Sequence, residues 1–115
     1  MAHTSQAFAI FQTLADPTRL RIVEELQRGE RPVNDLVAAV DIHQSGVSRH
    51  LRVLLNAGFV DVRAEGQQRI YSLKPEPFRE MDVWMARYRK LWEARLDRFA
   101  TALVTQRAAK KEPKR

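Results

Sequence analysis

The segment from His43 to Ala57 constrains the fold more than any other part of the chain. Val47, Leu51, Leu54 and Leu55 recur at helical spacing, and Gly58 follows as a natural C-terminal stop. The opposite face carries Gln44, Ser45, Ser48, Arg49 and Arg52. No carboxylate occurs from His43 to Asn56. One side of such a helix must rest on a core while the other presents amide, hydroxyl and guanidinium groups. An ordinary amphipathic surface helix shows the same division, so its neighbours decide what it means.

Those neighbours form a motif. Pro32 opens a short helix through Val40, with Leu36, Val37 and Val40 on its apolar face, and Asp41-Ile42 makes a brief turn. Two helices joined this tightly are a helix-turn-helix. Upstream, Thr4–Ala15 reads as a helix with Ala7, Phe8, Phe11, Leu14 and Ala15 on one face. Asp16-Pro17-Thr18 starts another, because Asp16 caps free amides and Pro17 suits the first helical position; Gly29 ends it. Downstream, Phe59–Arg63 and Arg69–Leu73 alternate as strands about a turn in Ala64-Glu65-Gly66-Gln67. Pro75 or Pro77 begins a last helix to about Gln106, with Phe78, Met81, Met85, Tyr88, Trp92, Leu96, Phe99 and Leu103 spaced by three and four, and Trp84 and Leu91 widening the stripe. The expectation is a mainly α (α+β) fold, a winged helix-turn-helix of about five helices and one β-hairpin wing. An isolated hairpin is marginal, so the wing packs on or beside the helices.

A chain of 115 residues suits one domain with a modest core. Residues 1–106 are read as that domain and 107–115 as a basic, disordered tail. The first and last helices carry more apolar surface than one copy needs. Phe8, Phe11, Leu14, Tyr88, Trp92, Phe99 and Leu103 are therefore the expected interface of a homodimer. The net charge of +6 points to a polyanion, although the stretch Arg107–Arg115 carries most of it, with five Lys/Arg and one acid. Charge alone permits nucleic-acid binding without demonstrating it.

Several functions are excluded. The absence of cysteine rules out disulfides, thiolate metal sites and Cys nucleophiles. The histidines are His3, His43 and His50, and no two share a metal-ligand spacing on one helix, so no metal or cofactor is expected. No Gly-rich phosphate loop is present, and Ser48 and His50, two apart on a helix, point away from each other. The chain is not expected to be an enzyme. The apolar run Leu36–Val40 is far short of the ~20 residues of a membrane span. The first residues lack a basic stretch leading into an apolar one, and a cytoplasmic location is expected.

The division of the His43–Ala57 helix is what a recognition helix requires. Apolar residues seat it, and polar ones reach base edges and phosphates of double-stranded DNA. The candidate DNA-binding residues are His43, Gln44, Ser45, Ser48, Arg49 and Arg52 on the helix, with Arg63, Gln68 and Arg69 on the wing. Ala15-Asp16-Pro17-Thr18-Arg19-Leu20, Val47-Ser48-Arg49-His50-Leu51, Leu54 with Ala57-Gly58-Phe59-Val60, and Arg69-Ile70-Tyr71-Ser72-Leu73 resemble the arsenical-resistance repressor (ArsR-like) family over roughly residues 7–75. The remainder, including Tyr88, Trp92-Glu93 and Arg95-Leu96-Asp97, is similar to a cysteine-free branch of it. The resemblance implies a homodimeric transcriptional repressor, joined through its first and last helices, on a palindromic operator. His43 stands where the family usually has Ser or Thr, and Gly46 lowers helix propensity by ~1 kcal/mol relative to alanine. Pro32 and Asn34 occupy the positions of the Cys-x-Cys of metal-sensing members, and the last helix has no His. The reading is therefore a repressor that does not sense metals. The alternative is a winged-helix protein-interaction adaptor without operator binding, against which Arg49, Arg52, Arg63 and Arg69 argue. A membrane surface is a weaker reading of the last helix than a dimer interface. Trp84, Tyr88 and Trp92 leave open a pocket for an unidentified small organic effector, although core or interface is the commoner use of such a stripe.

Overall fold

The computed structural model describes the backbone of residues 2–111 and the side chains of residues 6–109. The elements run α1 (Ala2–Leu14), α2 (Pro17–Gln27), β1 (Arg31–Pro32), α3 (Val33–Val40), α4 (Gln44–Asn56), β2 (Val60–Glu65), β3 (Gln68–Leu73) and α5 (Glu76–Lys111). The chain forms two units, residues 1–82 and 83–115. The first is a winged helix-turn-helix; the second is α5 from Val83 onward.

The core of the first unit is built where the apolar periodicities converge. Ile22 of α2, Leu36 of α3, Val47, Leu51 and Leu54 of α4, and Phe59 and Val60 at the start of the hairpin are all fully buried. Asp16 starts α2 by accepting from the Thr18 and Arg19 amides at 2.9 and 3.1 Å, with Pro17 behind it. Those bonds hold the Asp16 carboxyl below its ordinary range, the Arg19 amide contributing most.

The end of α4 places the hairpin. Gly58, at φ 79, donates to the Leu55 carbonyl, and the Phe59 amide returns to Leu54 at 2.9 Å. This is the Schellman arrangement, which needs a residue at ease with positive φ. The Phe59 carbonyl then accepts from Lys74 at 2.9 Å, and its ring meets Phe78 of α5 edge-on, 5.7 Å between centroids.

The sheet has three strands in the order β1-β3-β2, all antiparallel. The hairpin is longer than expected: Glu65 pairs with Gln68, leaving a two-residue loop of Gly66 and Gln67. Gly66 has φ 63, the positive value that a II′ turn places at its first central residue. β1 was not expected at all. Two residues are too few to show alternation, and Pro32 reads as a helix opener. Pro32 instead pairs with Ile70 and then caps α3, at a sheet edge where its missing N–H costs no ladder bond.

Two further expectations change. On α1, Ala7 and Ile10 are buried and Leu14 packs on the core, while Phe8 and Phe11 are exposed. The unbroken apolar run Ala7–Phe11 offers two stripes, and spacing alone does not choose between them. Leu14 thus packs on the core of its own chain. At the other end α5 continues through Lys111, beyond Gln106, because Arg107, Ala108 and Ala109 are good helix formers. Residues 112–115 of the expected tail lie outside the described residues. Along α5, Met81, Met85, Tyr88, Trp92, Leu96, Phe99 and Leu103 follow steps of four and three, and Trp84 packs on Tyr88 at 4.7 Å. Among the described residues no helix is long and apolar enough to cross a membrane.

Replacing Asp16 with Ala is expected to cost ~1 kcal/mol at neutral pH, as for other N-caps. Because the folded-state pKa is depressed, the charge-dependent part of this contribution is complete above the ordinary value of 3.8 and is lost as pH falls through the lower folded value. Denaturant titrations of both proteins at pH 7 and in acid should show that gap narrowing only on the acid side.

Candidate nucleic-acid interface

Helix α4 begins at Gln44, with His43 extended at the N-cap and no side-chain cap bond. The turn before it is tight. Asp41 adopts the left-handed conformation (φ 55, ψ 44), which a short polar side chain tolerates, and its amide returns to Val37 at 3.1 Å. Val47, Leu51 and Leu54 seat the helix, while Leu55, expected beside them, is 38% exposed. Leu55 lies at the edge of the buried arc, where a helical period places it about 20° around the helix from Ser48 and about 40° from Leu51. Gln44, Ser45, Ser48, Arg49 and Arg52 are all exposed.

Between α4 and the hairpin lies an open groove of about 470 Å³. Gln44, Ser48 and Arg52 form one wall; Gln67, Gln68, Arg69 and Tyr71 form the other; the start of α3 closes the floor. No carboxylate lines it. Five of the predicted residues, Gln44, Ser48, Arg52, Gln68 and Arg69, therefore meet around one concave surface. His43, Ser45 and Arg49 are exposed at the start of α4 but do not line the groove.

Arg63 is the exception among the wing residues. Strand alternation puts it opposite Ile70, whereas Arg69 and Tyr71 belong to the other face of the hairpin. Its Nη1 and Nη2 donate to the two carboxylate oxygens of Glu30, the second at 2.8 Å, and Nη2 also reaches Glu65 at 2.9 Å. The Glu30 carboxyl is held below its usual range by those bonds, and the Arg63 guanidinium is held more firmly protonated. The sequence reading grouped Arg63 with Arg69 by proximity to Gly66; the pleat separates them. Glu30, 33 residues away, carried no sequence signal beyond following Gly29.

His50 faces away from the groove. Its Nδ1 lies 3.4 Å from Nη1 of Arg19, whose Nε donates to the Thr13 carbonyl at 2.6 Å. Arg19 thus ties the end of α1 to α4, and His50 is part of that brace. Among the described residues no group of three or more His, Cys, Asp or Glu could hold a metal ion.

Residues 16–62 match the family described as bacterial regulatory protein, arsR family. The crystal structure of an ArsR family transcriptional regulator superposes with TM-score 0.69 at 32% identity, covering 78% of this chain and 93% of that one. The chain belongs to the ArsR family. The crystal structure of a possible transcriptional regulator for arsenical resistance superposes with TM-score 0.62 at 36% identity over 81% of this chain and 94% of that one. The HTH-type transcriptional regulator NmtR of Mycobacterium tuberculosis is 44% identical over 69 residues, 60% of this chain and 58% of that protein. A probable mercury resistance operon repressor of Streptomyces lividans is 38% identical over 71 residues, 62% of this chain and 57% of that protein. The chain thus spans less than two thirds of the length of these two curated relatives.

Gly46 sits in the first turn of α4, where a Cβ would fit only if Ile42 gives way slightly. An added Cβ would stand 3.2 Å from Cδ1 of Ile42, the far end of a flexible side chain. Gly46→Ala is expected to raise stability by up to ~1 kcal/mol, the helix-propensity difference, as Ile42 shifts by a few tenths of an ångström. A lower melting temperature for the variant would show that Ile42 is fixed.

Proposed function

We propose that this ArsR-family protein is a homodimeric transcriptional repressor that binds a palindromic site on double-stranded DNA and does not respond to thiophilic metals. The observation that carries the reading is the acid-free groove between α4 and the hairpin, with Arg52 on one wall and Arg69 on the other. A phosphate strand following that groove meets guanidinium, amide and hydroxyl groups and no carboxylate. The start of α4, with Gln44, Ser48 and Arg49 exposed, then enters the major groove. Gln suits adenine and Arg suits guanine, since each forms paired hydrogen bonds with one base edge.

Dimerisation is supported by each unit separately. The first leaves Phe8 63% exposed, and the second leaves Phe99 62% exposed, with Tyr88, Trp92 and Leu103 also open. A two-fold dimer on a palindromic site is expected to present its two recognition helices about 34 Å apart, one turn of B-DNA. The metal reading rests on the donor set: no cysteine in the chain, and no His on α5.

Competition titrations at two salt concentrations test the interface. Arg49→Ala should cost ~1–3 kcal/mol per half-site and relax preference at one base pair. Arg69→Ala should weaken binding to all sequences alike and lower the salt dependence by about one phosphate contact. Reversed behaviour of the two variants would overturn the assignment. Micromolar zinc or arsenite should leave the binding isotherm unchanged, and sedimentation should give a dimer; a metal-released complex or a DNA-binding monomer would contradict the reading.

A further inference from the structure

We propose that Glu30 and Arg63 are positioning residues for the wing: their ion pair fixes the hairpin against the helical body and keeps Arg63 off the DNA. The inference rests on the DNA-binding reading above and assigns a role to an acidic residue outside the groove.

Three observations carry it. First, the hairpin needs an external tie. From Asp61 to Arg69 every residue is exposed, and only its base, at Val60, Ile70 and Tyr71, is buried. β1 holds the base at Tyr71 and Ile70, but beyond that pairing a hairpin open on both faces has little to hold its direction. Second, the tie is of the strong kind. Isolated surface ion pairs contribute little, but a planar guanidinium bound through two nitrogens to one carboxylate, and shared with a second, resists rotation. Arg63 makes those bonds to Glu30 and Glu65. Glu30 belongs to the α2–β1 connection, so the bond crosses from the body to the middle of β2. Third, the charges oppose a phosphate role for Arg63. Moving its guanidinium to DNA would leave Glu30 and Glu65 unpaired beside a polyanion. Paired, the three groups sum to one negative charge on the face of β2 away from Arg69 and Tyr71. That charge repels a wing rotated the wrong way round, which reinforces the same orientation.

The test uses the full chain, with Glu30→Gln, Arg63→Gln and the exchange Glu30→Arg with Arg63→Glu. In the exchange the new arginine faces two carboxylates, as Arg63 does now. Hydrogen exchange of the Val62–Gln68 amides in the free protein is the first readout. It should speed up in both single variants and return towards the wild-type rate in the exchange, while the melting temperature stays close to wild type. Unchanged exchange rates in Glu30→Gln would overturn the tie whether or not the protein binds DNA. Affinity for the native promoter fragment is the second readout. Each single variant should bind about two- to fivefold more weakly with its salt slope unchanged, and the exchange should recover affinity. A salt slope reduced by one contact in Arg63→Gln would make Arg63 a phosphate ligand. Tighter binding by Glu30→Gln would make Glu30 a competitor of DNA. Either result sinks the proposal. Failure of the wild-type chain to bind any promoter DNA would instead sink the DNA-binding reading, leaving the exchange measurement to decide the tie.

Discussion

Phe59 is the residue on which the arrangement of the first unit turns. Its amide closes the end of α4, its carbonyl receives the chain leaving β3, and its ring is buried against Phe78 at the start of α5. One residue therefore sets the distance from the polar face of α4 to the hairpin, and with it the width of the groove. Gly58 makes this possible, because only a residue at ease with positive φ turns the chain so sharply that the next side chain enters the core. The chemistry of the groove walls is carried by other residues, but their spacing is inherited from this corner.

Charge is sorted by the pleat as carefully as apolarity is sorted by the helices. Arg69 and Tyr71 face the groove, while Arg63 lies on the reverse of the hairpin with its two carboxylate partners. Two arginines six residues apart thus have opposite surroundings, one among amides and hydroxyls and one among acids. The helices contribute a second brace. Arg19 links the end of α1 to His50 of α4, so α4 is held from its back as well as by its buried face.

Much of this was legible in the sequence, for identifiable reasons. The start of α2 was readable because Asp16-Pro17-Thr18 combines a capping carboxylate with a proline at the first helical position. The two faces of α4 were readable because Val47, Leu51 and Leu54 share one arc and Ser45, Ser48, Arg49 and Arg52 another, although Leu55 strays between Gln44 and Ser48. What was hidden depended on contacts distant in sequence or on too few residues. β1 has two residues and includes a proline, so no alternation announces it. The inward stripe of α1 was ambiguous because Ile10 and Phe11 compete for the same core, and the smaller stripe of Ala7, Ile10 and Leu14 is the one buried. The role of Arg63 depends on Glu30, and nothing local to either residue foretells the other.

The spacing along α5 has a geometric consequence of its own. Met81, Trp92 and Leu103 are separated by eleven residues each time, as are Met85 and Leu96, and Tyr88 and Phe99. Eleven residues in three turns is about 3.67 per turn, slightly more than the 3.6 of a straight helix, where a heptad pattern gives slightly less. A seam of this period drifts around the helix in the sense opposite to a leucine zipper's. Any helix lying along it stays in register by running nearly parallel to the axis or by winding gently to the right, and a left-handed supercoil would carry it off the aromatic rings within a few turns.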